Sequence, residues 1–596
     1  MNPPLAVNWR RLTGPALILL AAAVATAPQL IRGNTCGHDF DFHLVSWLDC
    51  LNAWRHGIPY PHWSPSANFG AGEPRFIFYP PLTWMLGAAM GLVMPWTLVP
   101  VGLTFLLLAG TGLATRALAR QALVDAPSTL AGCAALFSGY ALFTTYERSA
   151  FGELTGGFWI PLLLLLILRS HNSSSSLWKR AFDGSAALLA LVVAGAWLSN
   201  VPLGVMASYL LAAVALTAAF LDRSWAPIVR AAVAAALGIG LSAIYLVPAA
   251  WEQRWIDIRE ATNDPGLRIE NSFLFSHNAD PLLQLHDLEL MRVSLIAITM
   301  IAVTLAGLLV SRLRKTLPPN RRWWIPLALI PVVILFLELP ISLPVWNLLP
   351  ELRFLQFPWR WLVVLEAPMG VFFASAAWPR NSAPRWRRIA AAAVCAAFFL
   401  AASATAGRFF FQPCDDEDAV APMVAVYRSG GGFQGTDEYA PIGADNTLVA
   451  TGLPDACLVT DPDTSLGVLD TPEANPDWWV EQGSCDATFS ASPNPLEAQP
   501  EHLRIRATIP HAGYLILRLR SYPAWRVRLN GQPTAAPPQR EDGLVAVLVQ
   551  QGGVELDADW TTTPDVLAGR RLSGLALLLL AALCLLERRL TPPRLS

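Results

Sequence analysis

The sequence predicts a multi-span α-helical membrane protein with a β-sandwich-like soluble region before its last span. Of its 596 residues, 54% are hydrophobic and only 14% are charged, which is far too apolar for a soluble protein of this length. Apolar runs of membrane length alternate with short polar connections, and one late polar region shows the alternation typical of strands. The net charge of −2 shows no excess of basic residues of the kind that binds nucleic acid.

The apolar runs predict about twelve membrane spans with both chain ends in the cytoplasm. The first run contains Ala25-Thr26-Ala27, which resembles a signal-peptidase site. Because this run is long enough to span and further spans follow, we expect an uncleaved anchor. The expected spans are residues 15–31, 96–119, 127–145, 153–168, 181–198, 202–221, 226–248, 291–311, 323–339, 358–377, 389–406 and 572–586.

The orientation of the chain depends on residues 80–94, which are apolar but about 15 residues long, below the roughly 17–25 residues of a spanning helix. If this segment lies at the interface, the arginine-rich connections fall on the cytoplasmic side, as the positive-inside rule requires. Residues 37–81 and 407–571 then face outwards. We therefore expect a multi-pass membrane protein with its soluble region on the outer side.

Three parts follow from this topology. Residues 1–406 form the transmembrane domain, with a first outer loop at 32–95, and residues 407–571 form the soluble region. Residues 572–596 supply the last transmembrane helix and a cytoplasmic tail. Alternating apolar residues predict a β-sandwich within 500–562, and Asn530-Gly531 predicts a hairpin turn there.

The first outer loop predicts an amphipathic helix. The apolar residues at helical spacing are Phe40, Leu44, Trp47, Leu48 and Leu51. The residues that share another face are Asp39, His43, Ser46 and Cys50. This pattern favours a helix lying flat at the membrane surface, with its polar face turned towards a cavity.

Two roles stay open for Asp39, because a carboxylate at the start of a helix can act as a general base or as a helix cap. As a base it would deprotonate an acceptor hydroxyl. Asp41 would then orient the acceptor or, together with Asp39, hold a divalent metal such as Mg²⁺ or Mn²⁺, the one cofactor that the sequence suggests. His43, one turn after Asp39, fits a hydrogen-bonding role better than a metal-ligand role.

Two arginines begin or end predicted spans on the outer side. Arg148 is suited to binding a phosphate, or alternatively to pairing with neighbouring loops. Arg360 follows Pro358 among aromatic residues, where it needs a lipid phosphate or a protein carboxylate as partner, or acts only as an interfacial anchor. Trp478-Trp479 is suited to stacking on a sugar or to a domain contact.

The 8 cysteines predict at most one disulfide in each outer region. Cys36 with Cys50 and Cys457 with Cys485 are the expected pairs, which leaves Cys414 over. The spacing alone does not fix this connectivity.

A set of motifs carries a family resemblance. These motifs are GHDFDFH, FYPPL, YERSAFGE, LRFLQFPWRW and GTDEYAPIG. As a set they resemble the bacterial membrane-protein family labelled 6-pyruvoyl-tetrahydropterin-synthase-related, which is similar to the C-type (GT-C) glycosyltransferases of the membrane. The resemblance implies a GT-C-like fold, with Asp39 as the first-loop carboxylate. Arg148 and Glu153 match the charged residues of YERSAFGE, and Arg360 matches the arginine of QFPWR. His43, Gln356 and Glu438 are further residues that we expect to contact substrate. The resemblance also implies a place in the bacterial inner membrane, with the soluble region in the periplasm.

Two functions are therefore expected from the sequence. The first is transfer of a sugar from a polyprenyl-phosphate donor, taken from the membrane lipid, to a glycan, lipid or protein acceptor at the outer face. The second is a non-catalytic role in the assembly or export of surface polysaccharide. Few charges lie within the predicted spans, which argues against an ion-coupled transporter.

Overall fold

The computed structural model describes residues 9–169, 176–182, 184–380, 382–449, 451, 453–459, 491–535 and 540–590. Its helices form a membrane domain. In the sequence, two antiparallel sheets follow this domain and precede the last helix. The predicted fold class, a multi-span helical protein with a β-domain before its last span, is confirmed.

Among the described residues, 7 helices are long and apolar enough to cross a membrane. They are Leu12–Arg32, Trp96–Ala119, Val201–Asp222, Pro281–Leu313, Pro358–Ala377, Arg385–Phe409 and Pro564–Leu590. Three bent pairs pass the same test together: Asp125–Leu136 with Gly139–Arg148, Ala226–Leu241 with Ala243–Trp255, and Arg321–Leu337 with Pro340–Leu348. Phe151–Ile167 and Ala186–Ser199 are shorter apolar helices. Each expected span lies on one of these elements, while the number of crossings stays a prediction.

The short apolar segment that sets the orientation forms the helix Pro81–Gly91. At 1.5 Å per residue its 11 residues reach only about 16 Å, roughly half of the hydrocarbon core of a bilayer. It packs against the outer-loop helix Phe40–Arg55. The expectation that residues 80–94 do not form a full-length span is consistent with this length.

The remaining short helices are Arg75–Phe78, Leu177–Ala181, Glu260–Asn263 and Val420–Arg428.

Phe40–Arg55 forms the predicted helix, but its polar side is more buried than the pattern indicates; that the helix lies flat at the membrane surface stays a prediction. Its apolar face is buried as expected, but His43, Ser46, Asp49 and Cys50 are buried as well. The polar side is covered by later parts of the chain: Asp49 accepts hydrogen bonds from Ser64 Oγ at 2.5 Å and from Tyr427 Oη at 3.0 Å. Partners some 15 and 378 residues away in sequence therefore bury a face that local periodicity marks as exposed.

Eight strands of the β-domain fall within the described residues, and the predicted range 500–562 misses the first two. The strands are β1 (Ala456–Val459), β2 (Ala491–Gln499), β3 (His502–Ile509), β4 (Gly513–Arg520), β5 (Trp525–Leu529), β6 (Gln532–Pro533), β7 (Leu544–Val549) and β8 (Gly552–Trp560). One sheet has the order β1-β4-β7 and the other β2-β3-β8-β5-β6, all antiparallel. Asn530 and Gly531 both have positive φ and form the predicted hairpin turn between β5 and β6.

The β-domain packs closely on the membrane domain. Trp63 of the first outer loop meets the rings of Tyr522, Trp525 and Trp560, with centroids 5.5–6.0 Å apart. Tyr522 donates a hydrogen bond to Glu252 at 2.5 Å across the same junction. The outer region is thus held in a defined position above the first loop.

The observed disulfide joins Cys36 to Cys414, so the predicted Cys36–Cys50 pair is wrong. Cys50 is a free thiol inside the buried helix. The bond links residues 378 apart in sequence, a pairing that only the meeting of two outer segments produces. Cys457 is disulfide-bonded, whereas Cys485 and Trp478-Trp479 lie outside the described residues.

Candidate functional site

Asp39 is positioned by a close approach of the first outer loop to residues 147–149. Its backbone N–H donates to the carbonyl of Arg148 at 3.1 Å, and the N–H of Gly37 donates to Ser149 Oγ at 3.2 Å. A Cβ atom on Gly37 would lie 2.2 Å from the carbonyl oxygen of Glu147, so only glycine permits this approach. The GHDFDFH and YERSAFGE motifs therefore meet backbone to backbone.

The carboxylate of Asp39 is left without a hydrogen bond. Asp39 occupies the N-cap position of Phe40–Arg55, as the helix-cap hypothesis requires, but its side chain forms no cap hydrogen bond. Within the described part of the chain, this half-buried side chain forms no hydrogen bond or ion pair. An ionised carboxylate only accepts hydrogen bonds, so Asp39 is available to receive one from a bound hydroxyl.

Two arginines share one buried carboxylate next to Asp39. Arg148 Nη1 lies 2.6 Å and Arg360 Nε 3.3 Å from the two oxygens of Glu153, and Tyr140 Oη donates to Glu153 at 2.6 Å. Arg148 and Glu153 are 3% and 5% exposed. The Nε atoms of both arginines are buried and form no hydrogen bond. The structure thus brings together the YERSAFGE and LRFLQFPWRW motifs, whose residues Glu153 and Arg360 are more than 200 positions apart in the sequence.

Arg148 also pairs with a neighbouring element, as the alternative interpretation of this residue predicted. Its Nε lies 3.9 Å from Glu289, and the adjacent Glu147 accepts from Arg292 at 2.5 Å. The Arg148 charge interacts with Asp39 as well. Sequence reasoning missed Glu289 because it sits near the start of a long apolar helix with no motif around it.

Arg360 is the more accessible of the two arginines. Its side chain is 13% exposed, against 4% for Arg148. Its Nη1 donates to the Leu355 carbonyl at 2.9 Å and to Gln356 Oε1 at 3.1 Å. Gln356 in turn donates to the carbonyl of Ala261 at 2.9 Å. Gln356, expected to contact substrate, therefore holds Arg360 in position.

Tyr79 is a site residue that the sequence analysis did not single out. Its ring packs on Phe42 and His43, with centroids 4.8 and 5.6 Å away. The hydroxyl interacts with the charges of Asp39, Arg360 and Glu153, and burial raises the pKa of Tyr79 well above its usual range. The hydroxyl therefore keeps its proton, and it forms a side-chain hydrogen bond with Asn200. Its only signal in the sequence is its place in the FYPPL motif.

His43 is not placed to bind a substrate in this structure. It is 1% exposed and surrounded by the rings of Phe42, Trp47, Tyr79 and Phe151. Burial lowers the pKa of His43 to about 4, so the ring is neutral. Its role is to pack behind Asp39 and Tyr79.

Asp41 is the second carboxylate of the predicted metal pair. It is exposed, and its carboxylate accepts a hydrogen bond from the N–H of Phe42 at 2.7 Å. No group of three or more histidine, cysteine, aspartate or glutamate side chains that could hold a metal occurs among the described residues. Because Mg²⁺ is commonly bound by one or two carboxylates together with substrate phosphates, a metal held by Asp39 and Asp41 stays a prediction, and the proposed reaction includes no step through it.

The soluble region contributes Glu438 to the same neighbourhood. Thr436 is fixed by two hydrogen bonds to Glu73, from its N–H at 2.8 Å and its Oγ1 at 3.2 Å. Glu73 is itself buried and paired with Arg75 at 2.6 Å. Burial raises the pKa of Glu438 to about 7, with further contributions from Glu73, Asp437 and Asp39. Glu438 is therefore largely protonated in mildly acidic conditions.

Comparison with known proteins adds one family assignment. Residues 76–409 match the sequence model of a family described as 6-pyruvoyl-tetrahydropterin synthase related domain, membrane protein. No curated protein matches the chain.

Two solved structures show distant similarity. One is the arabinofuranosyltransferase AftD from Mycobacteria, at 18% identity over 67% of this chain and 27% of that chain, with a TM-score of 0.40. The other is the Archaeoglobus fulgidus oligosaccharyltransferase, at 12% identity over 69% of this chain and 57% of that chain, with a TM-score of 0.45. The match thus spans about a quarter of the first and just over half of the second.

Proposed function

The chain belongs to the family of membrane proteins described as 6-pyruvoyl-tetrahydropterin synthase related, and we propose that it is a membrane glycosyltransferase using a polyprenyl-phosphate sugar. The observation that carries this proposal is the Asp39 carboxylate, half-buried and without a hydrogen bond, beside a buried pair of arginines. Such a carboxylate can take a proton, and the two arginines, which Glu153 holds in place, can add positive charge beside a bound phosphate.

In the proposed reaction, an acceptor hydroxyl gives its proton to Asp39 while its oxygen attacks the anomeric carbon of the donor sugar. The bond between that carbon and the phosphate oxygen breaks, and its electron pair leaves with the polyprenyl phosphate. Arg360, the more exposed arginine, contacts the leaving phosphate, and Arg148 adds positive charge behind it. The Tyr79 hydroxyl supplies a hydrogen-bond donor for the reacting oxygens between Asp39 and the leaving phosphate.

We place this reaction at the periplasmic face of the inner membrane, with the donor entering from the lipid bilayer. The Cys36–Cys414 disulfide supports this side, because disulfides persist in oxidising compartments. Cys36 is three residues before Asp39, so the bond and the base share one face of the membrane. The acceptor is a glycan, lipid or protein exposed there.

The test is Asp39→Asn, assayed in membranes with radiolabelled polyprenyl-phosphate sugars. The amide keeps the shape of the side chain but removes the base, which typically costs about 10²–10⁴-fold in rate. Protein level, membrane insertion and detergent-resistant folding should stay at wild-type values, because the carboxylate forms no hydrogen bond in the fold.

Asp41→Asn changes the exposed carboxylate two residues away and tests the predicted metal. A severe loss of transfer that excess Mg²⁺ or Mn²⁺ restores would favour coordination by Asp41. Wild-type transfer by Asp39→Asn would contradict the proposal and would favour the non-catalytic role in polysaccharide assembly or export.

A further inference from the structure

A cavity of about 410 Å³ lies where three helices of the membrane domain begin or end. It is lined by residues just after Trp96–Ala119, at the end of Phe151–Ile167 and at the start of Arg321–Leu337. Glu153 of the candidate site is in the first turn of Phe151–Ile167, whereas Arg169 follows its end, about 24 Å further along the helix axis. The cavity is therefore separate from the candidate site, and its volume falls within the roughly 300–1,000 Å³ of small-molecule sites.

The lining of this cavity is amphipathic. Its apolar part includes Leu165 and Trp323, and Trp323 is only 3% exposed. Two polar residues of the lining are fixed by hydrogen bonds. Gln121 Nε2 donates to the Leu165 carbonyl at 2.7 Å, and Asn320 Oδ1 accepts from the Arg322 N–H at 3.1 Å. An apolar wall with a few fixed polar groups suits a ligand that is itself part apolar and part polar.

Arg169 supplies the charge of the lining. It is exposed, and within the described part of the chain its side chain forms no hydrogen bond or ion pair. A guanidinium group carries five N–H donors in a planar arrangement that matches a phosphate. Arg169 is therefore free to bind an anionic group that enters the cavity.

The surroundings of Arg169 carry more positive than negative charge. Among the described residues, four arginines and two carboxylates form a group whose charges act on one another: Arg169, Arg180, Arg230 and Arg322 with Asp222 and Glu587. Arg322 Nη1 lies 2.8 Å from Asp222, but its Nε and Nη2 are buried and form no hydrogen bond in this part of the chain. Just before the first lining residue, Arg116 and Arg120 share the Asp125 carboxylate at 2.5 and 3.9 Å. This end of the domain therefore attracts anions.

The choice between a free anion and a lipid follows from the two kinds of lining. The positive-inside pattern predicts that this end of the domain is cytoplasmic. Basic pockets between membrane helices on that side bind the phosphate head groups of anionic lipids. A free phosphate would satisfy Arg169 but would leave the apolar wall without a partner, whereas a phospholipid supplies both a phosphate and acyl chains.

We propose that the cavity binds one anionic phospholipid of the cytoplasmic leaflet, with its phosphate at Arg169 and its upper acyl chains against Leu165 and Trp323. The inference does not depend on the proposed glycosyltransferase function. Because the lipid binds only the folded arrangement of the three helices, it stabilises that arrangement.

The experiment uses the full-length protein, purified in detergent and stripped of lipid, and measures bound ligand by native mass spectrometry. The probes are phosphatidylglycerol, phosphatidylcholine and soluble glycerol 3-phosphate. One phosphatidylglycerol should bind about tenfold more tightly than phosphatidylcholine, because the unmatched arginine charges favour a net negative head group. Glycerol 3-phosphate, which lacks acyl chains, should bind at least about tenfold more weakly than phosphatidylglycerol.

Arg169→Ala should weaken phosphatidylglycerol binding by about tenfold or more, as expected for a lost hydrogen bond between charged groups. Arg312→Ala is the matched control, an exposed arginine in the last turn of Pro281–Leu313 that does not line the cavity, and it should bind like the wild type. If Arg169→Ala does not stay folded in detergent, the three probes on the wild type still decide. Equal binding of the two lipids, glycerol 3-phosphate binding as tight as that of phosphatidylglycerol, or wild-type binding by Arg169→Ala would each overturn the inference.

Discussion

Glu153 is the residue on which the stability of the arginine pair depends. It accepts hydrogen bonds from Arg148 and Tyr140 at 2.6 Å each and lies 3.3 Å from Arg360 Nε. Glu153→Gln keeps the size of the side chain but leaves two largely buried guanidinium groups without their shared counter-charge. Breaking a buried ion pair by removing one partner costs about 3–5 kcal/mol.

The assay is unfolding of the purified protein by sodium dodecyl sulfate in mixed detergent micelles, followed by tryptophan fluorescence. Two comparisons calibrate the result. Tyr140→Phe removes one hydrogen bond to the same carboxylate and should cost about 1.5–3 kcal/mol. Asp39→Asn removes a carboxylate without hydrogen bonds and should stay within about 0.5 kcal/mol of the wild type.

The expected order of unfolding midpoints is therefore wild type, then Asp39→Asn close to it, then Tyr140→Phe, then Glu153→Gln. If Glu153→Gln unfolds at the midpoint of Asp39→Asn, Glu153 does not neutralise the two arginines. The division of the site into a structural Glu153 and a free Asp39 would then be refuted.

Three further predictions concern other parts of the site. Tyr79→Phe removes a hydroxyl that interacts with the charges of Asp39 and Arg360 and is hydrogen-bonded to Asn200; transfer should fall about tenfold, and wild-type transfer would contradict this role. Loss of the Cys36–Cys414 bond in Cys36→Ser should cost about 2–5 kcal/mol and lower transfer, and dithiothreitol should lower transfer by the wild type more than transfer by this variant. The pKa of Glu438 is raised to about 7, mainly by burial. The folded state therefore holds this proton more tightly than the unfolded state, so its stabilising contribution is complete below pH 4.5 and is lost as pH rises to about 7. Unfolding midpoints measured from pH 5 to pH 8 should show this loss in the wild type and not in Glu438→Gln.

Several features of the fold could be predicted from the sequence because they depend on local pattern. Membrane-length apolar runs gave the helical segments, since only intrachain hydrogen bonding satisfies the backbone in lipid. The alternation through Ile505 and Ala507 gave β3, and Asn530-Gly531 gave the hairpin turn. The strands β1 and β2 were missed because β1 is only 4 residues long and β2 has no apolar alternation.

The candidate site was predictable only as separate motifs. The motifs named Asp39, Arg148, Arg360 and Glu438, but nothing local states that Glu153 neutralises both arginines or that Tyr79 lies among them. The arrangement arises where the first loop and the YERSAFGE motif meet at backbone level and the Arg360 side chain of the LRFLQFPWRW motif reaches Glu153. His43 shows the converse: its spacing from Asp39 suggested a polar face, and aromatic rings from three segments enclose it.

The sequence by itself determined the class of protein, the helical spans and the identity of the charged motifs, because composition and periodicity act within one segment. The tertiary structure decided which cysteines bond, which face of Phe40–Arg55 is covered, and that Thr436 of the late polar region is bonded to Glu73 of the first loop. These features depend on contacts between residues hundreds of positions apart. Such contacts form only when the whole chain has packed, because hydrogen-bond partners and burial, rather than local propensity, set them.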